Sequence, residues 1–127
     1  MMTLINTKLH GWIDYAFALA LACVPCLAGY NLQRTESLVC FATGAFIIVY
    51  SLFTNYEMGL LKLRGIPMKL HLVLDVLAGL FLAAAPAIFH LRVSGVPFLC
   101  FGIGAIVVAL TTDRVAYARL GPDAIRD

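Results

Sequence analysis

The stretch HGWIDYAFALALACVPCLAGY at residues 10–30 combines a histidine and an aspartate, four positions apart, with a long apolar run. A second stretch, HLVLDVLAGLFLAAAPAIFHL at residues 71–91, has the same layout. A helix of about 20 mostly apolar residues is long enough to cross the hydrocarbon core of a bilayer. Each stretch therefore predicts a transmembrane helix with an ionisable pair near its start.

The composition supports this interpretation for the whole chain. Of its 127 residues, 62% are hydrophobic and 13% are charged, whereas about a quarter of the residues in a soluble domain are charged. Four apolar blocks cover residues 11–31, 37–55, 70–91 and 94–112, without the alternation typical of a membrane β-barrel. The short connections 32–36 and 92–95 require antiparallel neighbours. We predict an all-α integral membrane protein, a four-helix transmembrane bundle that forms one domain over residues 1–127.

Basic residues are divided unequally between the two ends of this predicted bundle. Two of them, Arg34 and Arg92, lie on one side. Seven lie on the other side, namely Lys8, Lys62, Arg64, Lys69, Arg114, Arg119 and Arg126. Because lysine and arginine concentrate in cytoplasmic loops, we expect an inner-membrane protein with both termini, the loop 56–69 and the tail 113–127 in the cytoplasm. The loop mixes leucines with bases and is expected to lie at the lipid interface.

The two stretches belong to a longer internal repeat. A shift of 61 residues superposes His10 on His71, Asp14 on Asp75 and Pro25 on Pro86, and a shift of 58 superposes Thr54 on Thr112. We predict two tandem helical hairpins, repeat 1 at about 8–57 and repeat 2 at about 69–114. Two spans in each copy give both copies the same orientation. A signal peptide is the alternative for the first block, but Asp14 interrupts its apolar core.

The two H-x3-D pairs are the main candidates for a functional site. An aspartate four residues after a histidine lies one helical turn deeper and within reach of the imidazole. Charged groups inside membrane spans usually face the bundle interior. We therefore expect a cluster under the cytoplasmic surface, made of His10, Asp14, His71 and Asp75 and closed by Asn55, Glu57 and Asp113.

Several functions are open to such a cluster. Imidazoles and carboxylates are suitable ligands for a divalent metal and are equally suited to a proton relay. Haem, held by His10 and His71 as axial ligands, is a less favoured cofactor. The rival interpretation is structural: a hydrogen-bond network that joins the two repeats of an accessory membrane subunit. The leading function is non-enzymatic, the binding or passage of a cation or proton, and no catalytic residue is assigned.

The cysteines offer a distant alternative. Cys23 and Cys26 form a C-x-x-C motif, and Cys40 and Cys100 are expected in the same half of the bundle. Such a motif is typical of thiol–disulfide oxidoreductases, and a structural disulfide is a second possibility. The motif lies within an apolar helix, however, and its counterpart at residues 84–87 is AAPA.

The segment CVPCLAGY at residues 23–30 resembles the S-P-W-x-x-G-F stretch of SPW-repeat proteins, small bacterial membrane proteins built from paired hairpins. The resemblance extends over residues 8–113. Val24 and Cys26 replace the serine and tryptophan in the first copy, Ala85 and Ala87 replace them in the second, and the second copy lacks the Gly-aromatic ending. The resemblance implies the hairpin architecture and no assigned activity.

The expected partners follow from this architecture. The bilayer is the first, and a homo-oligomer or a larger membrane complex is the second. The sequence contains no Gly-rich phosphate loop, no G-x-S-x-G and no H-E-x-x-H. It also lacks an aromatic and basic surface, and its net charge of +2 reflects the membrane bias, so no nucleic-acid partner is expected.

Overall fold

A computed structural model describes residues 4–61 and 65–114. This part of the chain forms four helices and no β-strand: α1 (Thr7–Leu27), α2 (Thr35–Phe53), α3 (Met68–Ile88) and α4 (Val96–Thr111). The all-helical prediction is thus confirmed. Lys62, Leu63, Arg64 and the tail after Arg114 lie outside the described residues, and so do the expectations placed on them.

Three of the four helices are long and apolar enough to cross a membrane. They have 21, 19 and 21 residues, whereas α4 has 16. At about 1.5 Å per residue, a 16-residue helix spans about 24 Å, less than the roughly 30 Å of a hydrocarbon core. The predicted block 94–112 is longer than α4 because Pro97 fixes the first turn of the helix and Thr112 already has extended backbone angles.

The ends of α1 also differ from its apolar block. The helix begins four residues earlier, because the side chain of Asn6 accepts a hydrogen bond from the backbone N–H of Leu9 and caps the first turn. It ends at Leu27, where Gly29 takes a left-handed conformation with φ of 69°. The backbone N–H of Tyr30 then bonds the carbonyl of Pro25 at 2.8 Å, which closes the C-terminus.

The helices pack as two antiparallel hairpins. α1 packs mainly against α2, and α3 mainly against α4. Small residues form both crossings: a methyl group at Gly44 would lie 3.0 Å from the carbonyl oxygen of Ala18, and one at Gly102 would lie 2.6 Å from that of Gly79. The shift of 61 residues relates Ala18 to Gly79, and the shift of 58 relates Gly44 to Gly102. The close contact between helices therefore occurs at equivalent positions in both hairpins.

The hairpins exchange backbone hydrogen bonds at one end of the bundle. Ile5, before α1, forms a parallel bridge with Thr112, after α4. Ile66, before α3, forms the same bridge with Thr54, after α2. The N–H of Ile66 bonds the carbonyl of Phe53 at 2.9 Å, and the N–H of Ile5 bonds that of Thr111 at 3.1 Å. The bridges therefore place the start of α1 beside the end of α4, and the start of α3 beside the end of α2.

The core of the opposite half of the bundle is mainly apolar, and the α2 residues Glu36 and Ser37 are also buried there. A buried hydrophobic cluster there includes Leu21, Leu82 and Phe98, of which none is more than 1% exposed. Cys40 is also part of this cluster. All four cysteines are free thiols, and Cys23, Cys26 and Cys100 are exposed at the protein surface. The structural disulfide that the sequence left open is absent from this structure, in which the four cysteines are unpaired.

Candidate metal centre

Four side chains meet inside the half of the bundle that contains the two backbone bridges. His10 and Asp14 come from α1, and His71 and Asp75 come from α3. Both histidines are 0% exposed, and Asp14 and Asp75 are 6% and 5% exposed. The four residues are close enough to hold one metal ion, because one ligand atom from each lies within 4.8 Å of all the others.

The distances within the cluster link the two hairpins. His10 Nε2 lies 3.0 Å from Asp75 Oδ2, and His71 Nε2 lies 3.0 Å from Asp14 Oδ2. The pairs within one helix are slightly longer, with 3.3 Å from His10 to Asp14 and 3.3 Å from His71 to Asp75. Each imidazole is thus nearest to the carboxylate of the other hairpin, whereas the H-x3-D spacing predicted the pair within the helix.

Threonine hydroxyls bind the other nitrogen of each ring. His10 Nδ1 lies 2.8 Å from Thr112 Oγ1, and His71 Nδ1 lies 2.7 Å from Thr54 Oγ1. Each hydroxyl also donates to the helix carbonyl four residues earlier, at 2.6 Å for Thr112 and 2.7 Å for Thr54. Because the hydroxyl proton is used in that bond, the oxygen accepts from Nδ1–H. This network puts a proton on Nδ1 of both rings and leaves each Nε2 facing a carboxylate, as a lone pair in the neutral ring or as an N–H donor in the protonated ring.

In the neutral rings, the two Nε2 lone pairs face the same region between the carboxylates. The two atoms lie only 3.1 Å apart and are flanked by the two carboxylates. In a doubly protonated ring, each Nε2–H instead donates to the carboxylate of the other hairpin at 3.0 Å, so protons as well as a metal ion satisfy this arrangement. The four groups are electron donors around a common centre, and an arrangement of this kind is stabilised by a cation shared among them.

Hydroxyl groups from α2 and the loop after it hold the carboxylates. Tyr50 donates a short hydrogen bond to Asp75 Oδ1. Ser51 donates to Asp14 Oδ2 at 3.3 Å, and Tyr56 approaches the same oxygen at 3.5 Å. The repeat shift replaces these three residues by Val108, Ala109 and Arg114 in the second hairpin. The centre is therefore symmetric in its four ligands and asymmetric in the residues that support them.

The loop after α2 covers the cluster on the side of α1. The hydroxyl of Tyr15 donates to the carbonyl oxygen of Met58 at 3.0 Å, and that of Thr7 donates to Glu57 at 2.6 Å. A methyl group at Gly11 would lie 2.6 Å from Met58, so only glycine fits under the loop. Burial, followed by the charge of Asp14, raises the pKa of the Tyr56 phenol, which therefore remains a protonated donor. We name residues 56–58 the covering loop.

The remaining predicted site residues lie around the cluster and outside its ligand set. Glu57 bonds Thr7, and the backbone N–H groups of Asn55 and Asp113 bond the carbonyls of Ile66 and Ile5. Part of the loop 56–69 thus packs on α1, although the sequence predicted a segment on the lipid interface. Sequence reasoning missed Tyr50 and Ser51, since neither has a polar counterpart in the second copy. It grouped Thr54 and Thr112 with the polar helix ends but did not assign them to the histidines.

Haem does not fit between these histidines. An iron with two axial imidazoles requires a porphyrin plane between them, and the 3.1 Å separation of the Nε2 atoms leaves no room for one. The C-x-x-C motif is separate from the cluster, because Cys23 lies nine residues beyond Asp14 on α1, about 13 Å along the axis. The structure brings the four proposed metal ligands together and leaves the cysteines apart.

A small cavity adjoins the ligands on the side of the bundle axis. Its volume of about 20 Å³ is sufficient for a single water molecule. His10, Asp14 and Asp75 contribute its polar wall, and Phe17, Ile47 and other apolar residues form the rest. One further ligand of the size of water therefore has space beside the four side chains.

The fold and the cluster define a general class: an all-helical protein with membrane-length apolar helices and a buried His/Asp centre. Comparison of the chain with protein-family models, with curated proteins and with solved structures finds no match. The geometry of the centre is therefore the main basis for a functional conclusion.

Proposed function

We propose that this chain is an integral membrane protein, built from two tandem helical hairpins, that binds a divalent metal ion between His10, Asp14, His71 and Asp75. The ion joins the hairpins near the membrane surface. Both termini face the cytoplasm in this proposal, because the basic residues concentrate at that end. The hairpin architecture is also that of the SPW-repeat proteins that the sequence resembles.

The membrane placement rests on the outer surface of the helices. Large apolar side chains are exposed along all four of them, including Trp12, Leu77 and Ile103 with 61%, 55% and 56% of their surface free. In water, exposed apolar patches of this extent are rare on a monomer. A lipid environment covers them without a partner protein. The short α4 is accommodated by local thinning of the bilayer or by its flanking polar residues.

The repeat is supported by contacts that occur twice. The bridges of Ile5 and Ile66, the threonine bonds to each histidine and the glycine crossings are all related by the same shifts. Independent origins for so many matched contacts would be a coincidence. Duplication of one hairpin accounts for them, and a pseudo-twofold axis between the hairpins then passes through the metal centre.

The observation that carries the metal proposal is the convergence of the two Nε2 atoms at 3.1 Å while threonine holds both Nδ1–H groups. A tetrahedral ion with bonds of about 2.0 Å places its ligands about 3.3 Å apart. The Nε2–Nε2 distance and the four Nε2–carboxylate distances measure 3.0–3.3 Å, with one oxygen of Asp14 near His10 and the other near His71. One ligand atom from each of the four residues lies within 4.8 Å of the other three. Hydrogen-bonded Nδ1 atoms and hydroxyls on the carboxylates are the outer contacts that metal ligands usually make.

The ligand types favour zinc over harder cations. Two imidazoles and two carboxylates match the mixed nitrogen and oxygen donors that Zn²⁺ accepts in tetrahedral geometry. Mg²⁺ and Ca²⁺ prefer six or more oxygen ligands and do not select imidazole. Two carboxylates also neutralise a divalent charge, so the loaded centre carries no net charge into the membrane.

Passage of the ion or of a proton is a second candidate, and the buried titratable cluster favours it. In the described structure, however, the cluster of Leu21, Leu82 and Phe98 closes the other half of the bundle. Transport would require this apolar half to open. A third candidate is a metal-free clasp between the repeats, in which protonated imidazoles donate to the carboxylates of the other hairpin. A thiol oxidoreductase using Cys23 and Cys26 makes no use of the His/Asp cluster.

Titration with Zn²⁺ tests the proposal. The full chain is purified in detergent, stripped with a chelator and titrated by calorimetry, with Co²⁺ absorption as a report of tetrahedral coordination. We expect one ion per chain for the unmodified protein. The variant His10→Ala/His71→Ala should bind none, because it removes both nitrogen ligands.

The third histidine provides a matched control. His90 is exposed at the opposite end of the bundle, and His90→Asn should bind Zn²⁺ as the unmodified chain does. Equal binding by the double variant, or no binding by any variant at micromolar Zn²⁺, would contradict the proposal. In the second case, loss of thermal stability in the double variant alone would identify the cluster as a metal-free clasp.

A further inference from the structure

A groove between α3 and α4 opens to the outside beside the metal centre. Its volume is about 430 Å³. The floor is apolar and includes Leu72, Val73, Val76 and Leu110. Lys69 and Arg114 stand at its polar end, and both are exposed.

The equivalent face of the first hairpin is already filled. The shift of 61 residues superposes Leu72 on Gly11 and Val76 on Tyr15. The covering loop contacts both of those positions, with Met58 and Tyr56 over Gly11 and a hydrogen bond from Tyr15 to Met58. Tyr56 is only 2% exposed as a result. In the described part of the second hairpin, the corresponding face is open.

The charge at this groove is positive. Among the described residues that line it, Lys69 and Arg114 are charged and none is acidic. Arg114 occupies the repeat position of Tyr56. The second hairpin therefore has a basic side chain at the position where the first hairpin has a buried tyrosine. Basic pockets between helices at the cytoplasmic surface are typical sites for anionic lipid head groups.

From this geometry we propose that the groove binds one anionic phospholipid. The phosphate lies between Lys69 and Arg114, and one acyl chain lies along Leu72, Val76 and Leu110. The proposal rests on the membrane placement proposed above and is independent of the metal. It makes the two sides of the bundle unequal, since the chain covers one hairpin itself and a lipid covers the other.

Native mass spectrometry of the full chain in detergent tests this site. The protein is given equal amounts of phosphatidylglycerol and phosphatidylcholine, and the bound lipids are counted. We expect one phosphatidylglycerol to be retained in preference to phosphatidylcholine. The variant Lys69→Gln/Arg114→Gln should lower this retention by about tenfold or more, because each base near the lipid contributes about a factor of five.

The first hairpin supplies the charge-matched control. Lys8 is the repeat equivalent of Lys69, and Lys8→Gln/Arg34→Gln removes two charges away from the groove. This control should retain the lipid. The variant Val73→Trp, which fills the floor and keeps both bases, should lose it. An unchanged midpoint of thermal unfolding in each variant shows that the bundle is intact.

Four results would overturn the lipid site. They are equal loss in the control and the double variant, displacement of the lipid by inorganic phosphate, unchanged retention in the double variant, and a gain in retention after removal of residues 115–127. The last result would assign the groove to the tail of the chain. A chain recovered from cells in the soluble fraction would instead overturn the membrane placement itself, so the two failures are distinguishable.

Discussion

Each histidine in the His/Asp cluster has a polar neighbour at both ring nitrogens. A threonine hydroxyl accepts from Nδ1–H, and Nε2 faces the carboxylate of the other hairpin. The hydroxyl is oriented in turn by the carbonyl four residues earlier. Fixed tautomers reduce the reorganisation that metal binding requires, because the lone pairs already point to the centre.

Removal of one orienting hydroxyl should weaken metal binding without breaking the fold. We expect Thr112→Val to lower the affinity for Zn²⁺ by about 10–100-fold, since His10 loses the acceptor that holds its Nδ1–H. Thr111→Val is the control, because the hydroxyl of Thr111 bonds only helix carbonyls among the described contacts. Calorimetric titration measures both. Equal affinities for the two variants would contradict an orienting role for Thr112.

The sequence predicts the four ligands of this centre but not the groups that support them. The H-x3-D pair occurs twice, so the repeat itself marks His10, Asp14, His71 and Asp75. Tyr50 occurs opposite Val108 in the repeat, and its contact with Asp75 depends on packing between hairpins that no local pattern records. The sequence also does not show which carboxylate lies nearest to each histidine. His10 Nε2 is 3.0 Å from the carboxylate of the other hairpin and 3.3 Å from that of its own helix, and tertiary packing sets this difference.

The two helix crossings make a prediction at the level of elements. A methyl group at Gly102 would lie 2.6 Å from the carbonyl oxygen of Gly79 and 2.8 Å from the backbone nitrogen of Ala83. Because neither backbone atom can move alone, Gly102→Ala must separate α3 from α4, and we expect it to lower the free energy of unfolding by about 1–3 kcal/mol.

A second glycine on the same helix is the control for that change. A methyl group at Gly104 meets only Phe17, at an ordinary 3.8 Å. Gly104→Ala should therefore be neutral or stabilising, since alanine is the better helix former. Thermal unfolding in detergent compares the two. A larger loss for Gly104→Ala than for Gly102→Ala would show that the crossing is not set by Gly102.

The ends of α1 and α3 use the same backbone turn with different residues. Gly29 and His90 occupy equivalent repeat positions and have φ of 69° and 49°. The left-handed region costs a residue with a side chain about 1–2 kcal/mol. We expect His90→Gly to raise the free energy of unfolding by about 1 kcal/mol after the entropy of glycine is included. Denaturant unfolding measures it, and a loss of stability would indicate that the His90 side chain makes a stabilising contact.

Helix positions were predictable here to the extent that hydropathy determines them. All four apolar blocks became helices, but their ends moved by several residues. Asn6 starts α1 through a side-chain bond, and the bridge between Ile5 and Thr112 accompanies the end of α4. Such caps and bridges involve polar atoms, so an apolar count does not detect them.

The whole molecule is divided into a half in which polar contacts join the hairpins and a half with a mainly apolar core. The metal centre and both backbone bridges lie in the first, and the cluster around Leu21 and Leu82 lies in the second. If the proposed ion is bound, its removal leaves two imidazoles and two carboxylates facing one another inside the protein. The stability of the link between the hairpins should therefore depend on the metal.

This dependence gives a prediction for the complete chain. At a free Zn²⁺ concentration about 100 times the dissociation constant, binding to the folded state alone adds about 2.7 kcal/mol to the free energy of unfolding. The ligands must be deprotonated, so binding releases protons and the added stability is present at neutral pH and lost as the pH falls. Thermal unfolding with Zn²⁺ and with a chelator, at several pH values, measures the difference. His71→Ala should show no difference at any pH, and a metal effect of equal size in that variant would place the ion elsewhere.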